Sequence, residues 1–404
     1  MNTLSTRWGI VLLAVGAGII ASMQIGKVPP TIALIRSELN LDLVTAGWVI
    51  SSLNMVTVLL GALTGVMADH IGQRRLLLGG LLIMALANLA GATASTGMLL
   101  LLTRFCEGFG YVAVIITAPS LIAAVTQPRD RDLAISAWST YMPTGMALMM
   151  FIAPFLLADL GWRGLWLLSA ALILGFAGLA AGCTRGLGAP PVHKRSLRDV
   201  GLAILSPGPW LLALCFAAYA LQWFALMSWL PTFLNEQLQL PPTTAALAAA
   251  LAVICNVPGN LSGGWLLRHG LPRWLLIALV SIILGGIGAV IFSSDLAAGI
   301  KIVLAMLFSV IGGIIPAAIL SGAPVHAPSP AQIGVTNGII VQGSNMGSLF
   351  GPPLVALLVS SLGGWNNAGW LLLCSGVLGL ILALLVRTLE QQHAQQAILL
   401  AKSQ

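Results

Sequence analysis

GVMADHIGQRR, Gly65 to Arg75, gathers an aspartate, a histidine and two arginines into eleven residues of a 404-residue chain that is 7% charged and 58% hydrophobic. Long apolar runs flank it on both sides. A mean hydropathy of +0.99 is far above that of a soluble protein, in which roughly 25% of residues are charged. The chain reads as an integral membrane protein, and the charged stretch as a loop between two of its spans.

A bilayer core about 30 Å thick takes roughly 20 mostly apolar residues per helix. Twelve such runs follow one another: Trp8 to Ile35, Val44 to Ala68, Leu76 to Thr93, Met98 to Val125, Leu133 to Leu157, Gly164 to Cys183, Trp210 to Leu234, Thr244 to Leu267, Trp274 to Phe292, Ile300 to Gly322, Ile333 to Val359 and Ala368 to Val386. They are called spans 1 to 12 below. The length of span 1 and the eleven runs after it predict a retained span rather than a signal peptide.

Lysine and arginine favour cytoplasmic loops. With both termini cytoplasmic, 13 of the 18 basic residues (Arg7, Arg74, Arg75, Arg129, Arg131, Arg185, Lys194, Arg195, Arg198, Arg268, Arg273, Arg387, Lys402) fall on that side. Three (Arg36, Arg163, Lys301) fall opposite, and Lys27 and Arg104 stay inside the membrane. The expected location is a bacterial inner membrane. The net charge of +7 is then a topogenic signal, and a nucleic-acid partner is not expected. Five cysteines lie singly on five spans without CxxC spacing, and all five histidines fall in loops or the tail, so no metal or other cofactor is expected.

Gly186 to Gly208 (GLGAPPVHKRSLRDVGLAILSPG) holds three prolines, a basic cluster and no sustained apolar run. It reads as a cytoplasmic linker (186–208) between an N-terminal half (1–185) and a C-terminal half (209–404) of six spans each, the symmetry of a transporter built from repeated halves. The opening motif recurs accordingly. Gly61, Gly65, Gly72 and Arg75 are matched by Gly259, Gly263, Gly270 and Arg273, each displaced by 198 residues, and both copies close the second span of their half.

Gly65, Asp69, Gly72, Arg74 and Arg75 between spans 2 and 3 resemble the signature of the major facilitator superfamily. Arg104, Glu107, Gly108 and Gly110 (RFCEGFG) resemble its second motif, on span 4. The resemblance covers the whole chain and implies an all-α membrane protein with twelve transmembrane helices in two pseudo-symmetric six-helix halves. LQWFALMSWLPTFL on span 7 looks like the cyanate and nitroimidazole permease branch. The GxxxGP pattern of proton-driven exporters is missing from span 5, which has Met142, Pro143, Gly145 and Pro154 without a GP pair, and this lowers the odds of drug efflux. A GxxxGPP run on span 11, Gly347 to Pro353, is expected to permit close helix packing.

Gly61 and Gly65, four apart, give span 2 a smooth face for close approach. Asp69 then stands at the inner membrane edge, where a carboxylate can cap a helix N-terminus. In the superfamily that partner is the cytoplasmic start of span 11, here near Gln332 to Thr336, and the contact holds the inner gate shut. The second copy has Leu267 in place of Asp69, so the latch is one-sided. A solvated topogenic turn is the plainer alternative.

Lys27, in QIGKVPPTI, lies two thirds of the way along span 1, and Pro29 and Pro30 break the backbone ladder just after it, as at many transporter sites. It either faces a cavity or snorkels to the outer interface. Arg104 and Glu107 share one face of span 4; they form a neutralised pair, or Glu107 is the proton-coupling carboxylate. Lys301, at the outer end of span 10, is expected to be interfacial. The second half otherwise offers uncharged candidates, of which Tyr219, Gln222, Asn256 and Asn345 are the strongest and interhelical hydrogen bonding is the alternative role. Met142, Met146 and Met150 share a face of span 5 that could pass Cu(I), but no histidine or cysteine joins them, so packing is expected.

These residues predict secondary active transport of a small solute by alternating access. Lys27 and Arg104 against one carboxylate favour a small organic or inorganic anion, with protons as the candidate coupling ion. The expected partners are that solute, protons and the lipid bilayer, and the expected state is a monomer. Export of an amphipathic or neutral compound is the nearest alternative, and a non-transporting membrane sensor a more distant one. No GxSxG, HExxH or GxxxxGK[ST] run occurs, so neither an intramembrane enzyme nor an ATP-driven pump is expected.

Overall fold

The computed structural model describes residues 5–185, 202, 204–293, 295–329 and 332–402, with the side chains at 62–70, 132, 393–394 and 396–402 outside that set. Among the described residues, ten helical runs are long and apolar enough to cross a bilayer. The pair Leu43–Ser51 and Leu53–Gly61, bent by 53°, adds an eleventh. Helix Tyr141–Cys183 divides at Gly161 (φ 61°, ψ −179°) into two, which completes the twelve read from the sequence.

Several spans are broken. Span 1 is α1 (Trp8–Gly26) and α2 (Val28–Leu39), and span 2 is α3 (Leu43–Ser51) and α4 (Leu53–Ile71). Spans 3 and 4 are α5 (Gln73–Ala92) and α6 (Gly97–Val125). Span 5 combines α7 (Arg131–Ser139) with the start of α8 (Tyr141–Cys183), whose remainder is span 6. Span 7 is α9 (Pro207–Glu236), span 8 α10 (Pro242–Ile254) with α11 (Asn256–Arg268), and span 9 α12 (Arg273–Ser293). Span 10 is α13 (Ala298–Gly312), α14 (Ile314–Leu320) and α15 (Ala323–His326); α16 (Ile333–Leu362) and α17 (Ala368–Lys402) are spans 11 and 12.

The helices pack through small residues, as they must where lipid removes the hydrophobic drive for association. Gly343, Gly347 and Gly351, one per turn of α16, lie against the backbone of Ala213, Ala217 and Leu221 on α9, and a Cβ at any of the three would overlap main-chain atoms. The internal repeat is visible in the backbone too. Gly72 (φ 90°) and Gly270 (φ 87°), 198 positions apart, adopt the same positive-φ turn, which a side chain would strain. Gly259 and Gly263 receive the backbone of span 10, whereas Gly61 meets only the side chain of Gln342, 3.4 Å from a Cβ placed there.

The first and second six spans close on each other at the end remote from the termini. There α2 packs on α9, α3 on α16 and α10 on α8. Gly47 of α3 meets the main chain of Pro352 and Pro353, and Arg36 Nη1 reaches Glu236 Oε1 at 3.1 Å. Nearer the middle, Gln342 Nε2 donates to Thr57 O at 3.2 Å and to Val58 O. On the same remote face the Trp162 indole donates to Glu38 and Arg163 pairs with it.

Candidate functional site

Two helix breaks and one helix face build a buried charge cluster. Pro29 and Pro30 carry no N–H, so the ladder of span 1 stops at Lys27 and restarts as α2. Span 2 breaks at Ser52. Facing both breaks, Arg104 and Glu107 project one turn apart from α6.

Lys27, Arg104 and Glu107 converge, all fully buried. Lys27 Nζ lies 2.9 Å from Glu107 Oε1, 2.5 Å from Asn88 Oδ1 and 3.1 Å from Gln24 Oε1. The two amides are held with their oxygens toward the ammonium, because Asn88 Nδ2 donates to Met84 O and Gln24 Nε2 to Ile20 O. The Trp166 ring covers Lys27 at 4.2 Å. An ammonium has three hydrogens, and three acceptors take them. Arg104 Nη1 binds Glu107 Oε2 at 2.5 Å and donates to Gln24 O at 2.9 Å, and Arg104 Nε donates to Val49 O at 3.2 Å. Arg104 Nη2 is buried without a hydrogen-bond partner among the described residues.

Two cations and one carboxylate leave this cluster one positive charge in surplus. Such a charge in a membrane interior costs several kcal/mol unless dipoles and partners offset it. Here the two amide oxygens, two backbone carbonyls and the Trp166 face supply that offset. Lys27 is therefore enclosed rather than at the outer interface. Lys301 does reach the end of span 10, yet it is only 4% exposed, its ammonium 5.1 Å from the Phe233 ring. Gln24 and Asn88 were not singled out by sequence, although Gln24 stands one turn before Lys27 and Asn88 interrupts an apolar run of span 3.

The uncharged candidates separate. Asn256 Nδ2 donates to Tyr219 Oη at 3.2 Å and to Ser309 O at 3.0 Å, and Trp223 Nε1 donates to Ser309 Oγ at 3.2 Å, a polar seam joining spans 7, 8 and 10. Gln222 turns elsewhere and donates to Leu372 O at 2.8 Å and Ser281 O at 3.4 Å, binding span 7 to spans 12 and 9. Asn345 is half-buried on α16, its Nδ2 3.3 Å from Gln342 Oε1. The methionine face packs: Met146 and Met150 are fully buried, and Gly26 of α1 abuts the Met146 backbone.

Among the gating candidates, the side chains of Gly65 and Asp69 lie outside the described residues. The helix that would receive Asp69 starts at Ile333, as expected. Gly72 forms the turn. Arg74 joins spans 3 and 6 through Thr184 Oγ1 and Ala181 O, both at 3.0 Å, while Arg75 is exposed. In the second copy Arg273 binds Ala318 O at 3.1 Å and pairs with Glu390 of α17, which His326 Nε2 also approaches at 3.2 Å.

The profile of the Major Facilitator Superfamily matches residues 14–341. The chain belongs to that superfamily. Its multi-pass helical fold agrees with that membership. A bacterial homologue of the human lysosomal transporter Spinster, in an inward-facing and unoccupied conformation, superposes with a TM-score of 0.79 over 97% of this chain and 98% of that one at 15% identity. Among curated relatives, the 3-(3-hydroxy-phenyl)propionate transporter of Escherichia coli K12 is 30% identical over 229 residues, 54% of each chain. The methylenomycin A resistance protein of Streptomyces coelicolor is 26% identical over 243 residues, 60% of this chain and 50% of that one. The chain thus spans about half the length of the curated relatives it matches.

Proposed function

We propose that this superfamily member carries a small monoanion, a carboxylate in the first instance, across a bacterial inner membrane by alternating access, with a proton as coupling ion. The observation that carries the reading is the surplus positive charge of the Lys27, Arg104 and Glu107 cluster. As the cluster stands, Lys27 has no hydrogen left for a solute, and both Glu107 oxygens are engaged. A proton on Glu107 releases its hold on both cations, and the solute carboxylate replaces it there, with Arg104 Nη2 as a further donor. The cluster then carries the same net charge with proton and anion bound as without them, so the surrounding dipoles need not reorganise for a new charge.

The two groups of six spans, residues 1–185 and 209–404, rock as halves about this level in that mechanism. With the termini cytoplasmic, closure at the remote end makes the described state inward-facing. Tyr219, Asn256 and Asn345 would meet the uncharged part of the solute. The propionate in the name of the Escherichia coli relative supports a carboxylate. The resistance relative favours a second reading, export of an amphipathic or neutral compound.

The test is binding and uptake in proteoliposomes of aromatic and aliphatic monocarboxylates beside their neutral amides, with and without a pH gradient. Lys27→Ala should abolish carboxylate binding, and Lys27→Arg should retain part of it. Glu107→Gln should bind carboxylate but lose gradient-driven accumulation. Full uptake by both Lys27→Ala and Glu107→Gln would leave the neutral-solute reading standing.

A further inference from the structure

Arg104 has two contacts that neither a substrate ligand nor a charge partner requires, Nη1 to Gln24 O and Nε to Val49 O. The two carbonyls hold the same place in their helices. Gln24 stands four residues before Val28, the first residue of α2, and Val49 stands four residues before Leu53, the first residue of α4. In a regular helix each carbonyl accepts from the N–H four residues on, so each of these is the first carbonyl of its helix whose partner lies beyond the break. An unsatisfied carbonyl inside a membrane is expensive. One guanidinium serves both, from two separate nitrogens of its rigid fork.

The segments beyond the two breaks are those that close the remote end. The α3 segment lies on Pro352 and Pro353 through Gly47, and α2 packs on α9, with Arg36 at Glu236. We propose that Arg104 is a positioning residue, a single pin for the bends of spans 1 and 2, so that α2 and α3 swing together against the second group of spans. What counts for this role is the spread of its donors, not its charge. Neither the identity of the solute nor a proton on Glu107 enters the argument, so it can fail or stand apart from the transport assignment. Among the described residues, the charged groups facing Arg104 are Lys27 at the span 1 break and Glu107 on its own helix, and α3 meets it through the Val49 carbonyl.

The experiment measures the remote gap in the full chain, in lipid nanodiscs, by electron–electron resonance between spin labels at Ser37→Cys and Gln237→Cys, with the five native cysteines replaced. Arg104→Lys keeps the charge but radiates its donors from one atom, and should raise the open-to-closed ratio roughly tenfold, the usual effect of losing one buried hydrogen bond. Glu107→Gln leaves both carbonyl contacts and should shift the distance distribution less than Arg104→Lys does. A purely electrostatic Arg104 predicts the reverse, a benign Arg104→Lys and a loosened Glu107→Gln, and that result overturns the pin. Should Arg104→Lys not accumulate, Arg104→Gln combined with Glu107→Gln removes both charges and leaves one amide for two carbonyls. It should broaden the distribution equally. A wild-type distribution, or failure of this double variant to insert, counts against the proposal.

Discussion

Asn88→Asp is the substitution that most directly tests the surplus charge. Asn88 Oδ1 and Glu107 Oε1 both bind Lys27 Nζ, at 2.5 Å and 2.9 Å, so the two oxygens are no more than about 5.4 Å apart. A carboxylate at position 88 would neutralise Lys27 permanently and repel any second carboxylate at the Glu107 position. Two unit charges about 5 Å apart interact by about 3 kcal/mol at an effective dielectric constant near 20. At about 1.4 kcal/mol per decade, carboxylate affinity should fall roughly a hundredfold. The neutral amide of the same acid should lose almost nothing, because nearly the same shape is presented to it. Titration calorimetry on the purified protein, with an aromatic monocarboxylate and its amide as the first pair, reads both numbers. A change of less than about threefold for the acid, or an equal loss for acid and amide, would refute the claim that this cluster selects an anion.

Three further outcomes follow from other contacts. Gly347→Val drives a side chain into Ala217 O and should abolish stable insertion or lower thermal stability by more than about 3 kcal/mol; Gly175→Val, at a glycine that meets nothing within 4 Å, serves as the tolerant control. Asp42 caps α3 through the Thr45 N–H at 2.6 Å, and that bond holds its carboxyl below the usual range; its contribution is therefore complete above the unfolded value near 4 and lost as pH falls through the folded one. Wild type should accordingly lose melting temperature on acidification below about pH 4 more steeply than Asp42→Ala. Cysteines at Ser196 and Asp295 in a cysteine-free background should react with an impermeant thiol reagent from opposite sides, and labelling of both from one side would end the proposed orientation.

The spans were legible because hydropathy is summed over some 20 residues and a membrane admits no other reading of such runs. The repeat was legible because its glycines answer a backbone requirement: Gly72 and Gly270 share one positive-φ turn. Helix breaks were only half legible. Pro29 and Pro30 announce the one in span 1, whereas Ser52 carries no such mark, and the break there is visible only with Arg104 already seated on Val49 O. The site was read as separate pieces. Arg104 and Glu107 are three apart and pair within one helix, but nothing in periodicity says that Lys27, on another span, meets the same carboxylate. Gln222 shows the opposite failure. A helical face of about 100° includes both Tyr219 and Gln222, and tertiary packing sends the first toward span 8 and the second toward spans 9 and 12.

The asymmetry between the two groups of spans has a mechanistic consequence. All the charge of the described centre lies in spans 1 and 4, while the seam of Tyr219, Asn256, Ser309 and Trp223 in spans 7, 8 and 10 is neutral. Under the proposed mechanism an anion held at Lys27 therefore stays with the first group throughout the transport cycle, and the second group gains and loses contact with its uncharged end. Hydrogen bonds of the seam type contribute under about 1 kcal/mol each in membranes, weak enough to break on every cycle unaided, whereas the buried charge pairs open only when Glu107 takes up a proton. Selectivity among carboxylates should then follow the shape met by Tyr219 and Asn256, and the requirement for a carboxylate should follow the two cations, Lys27 and Arg104.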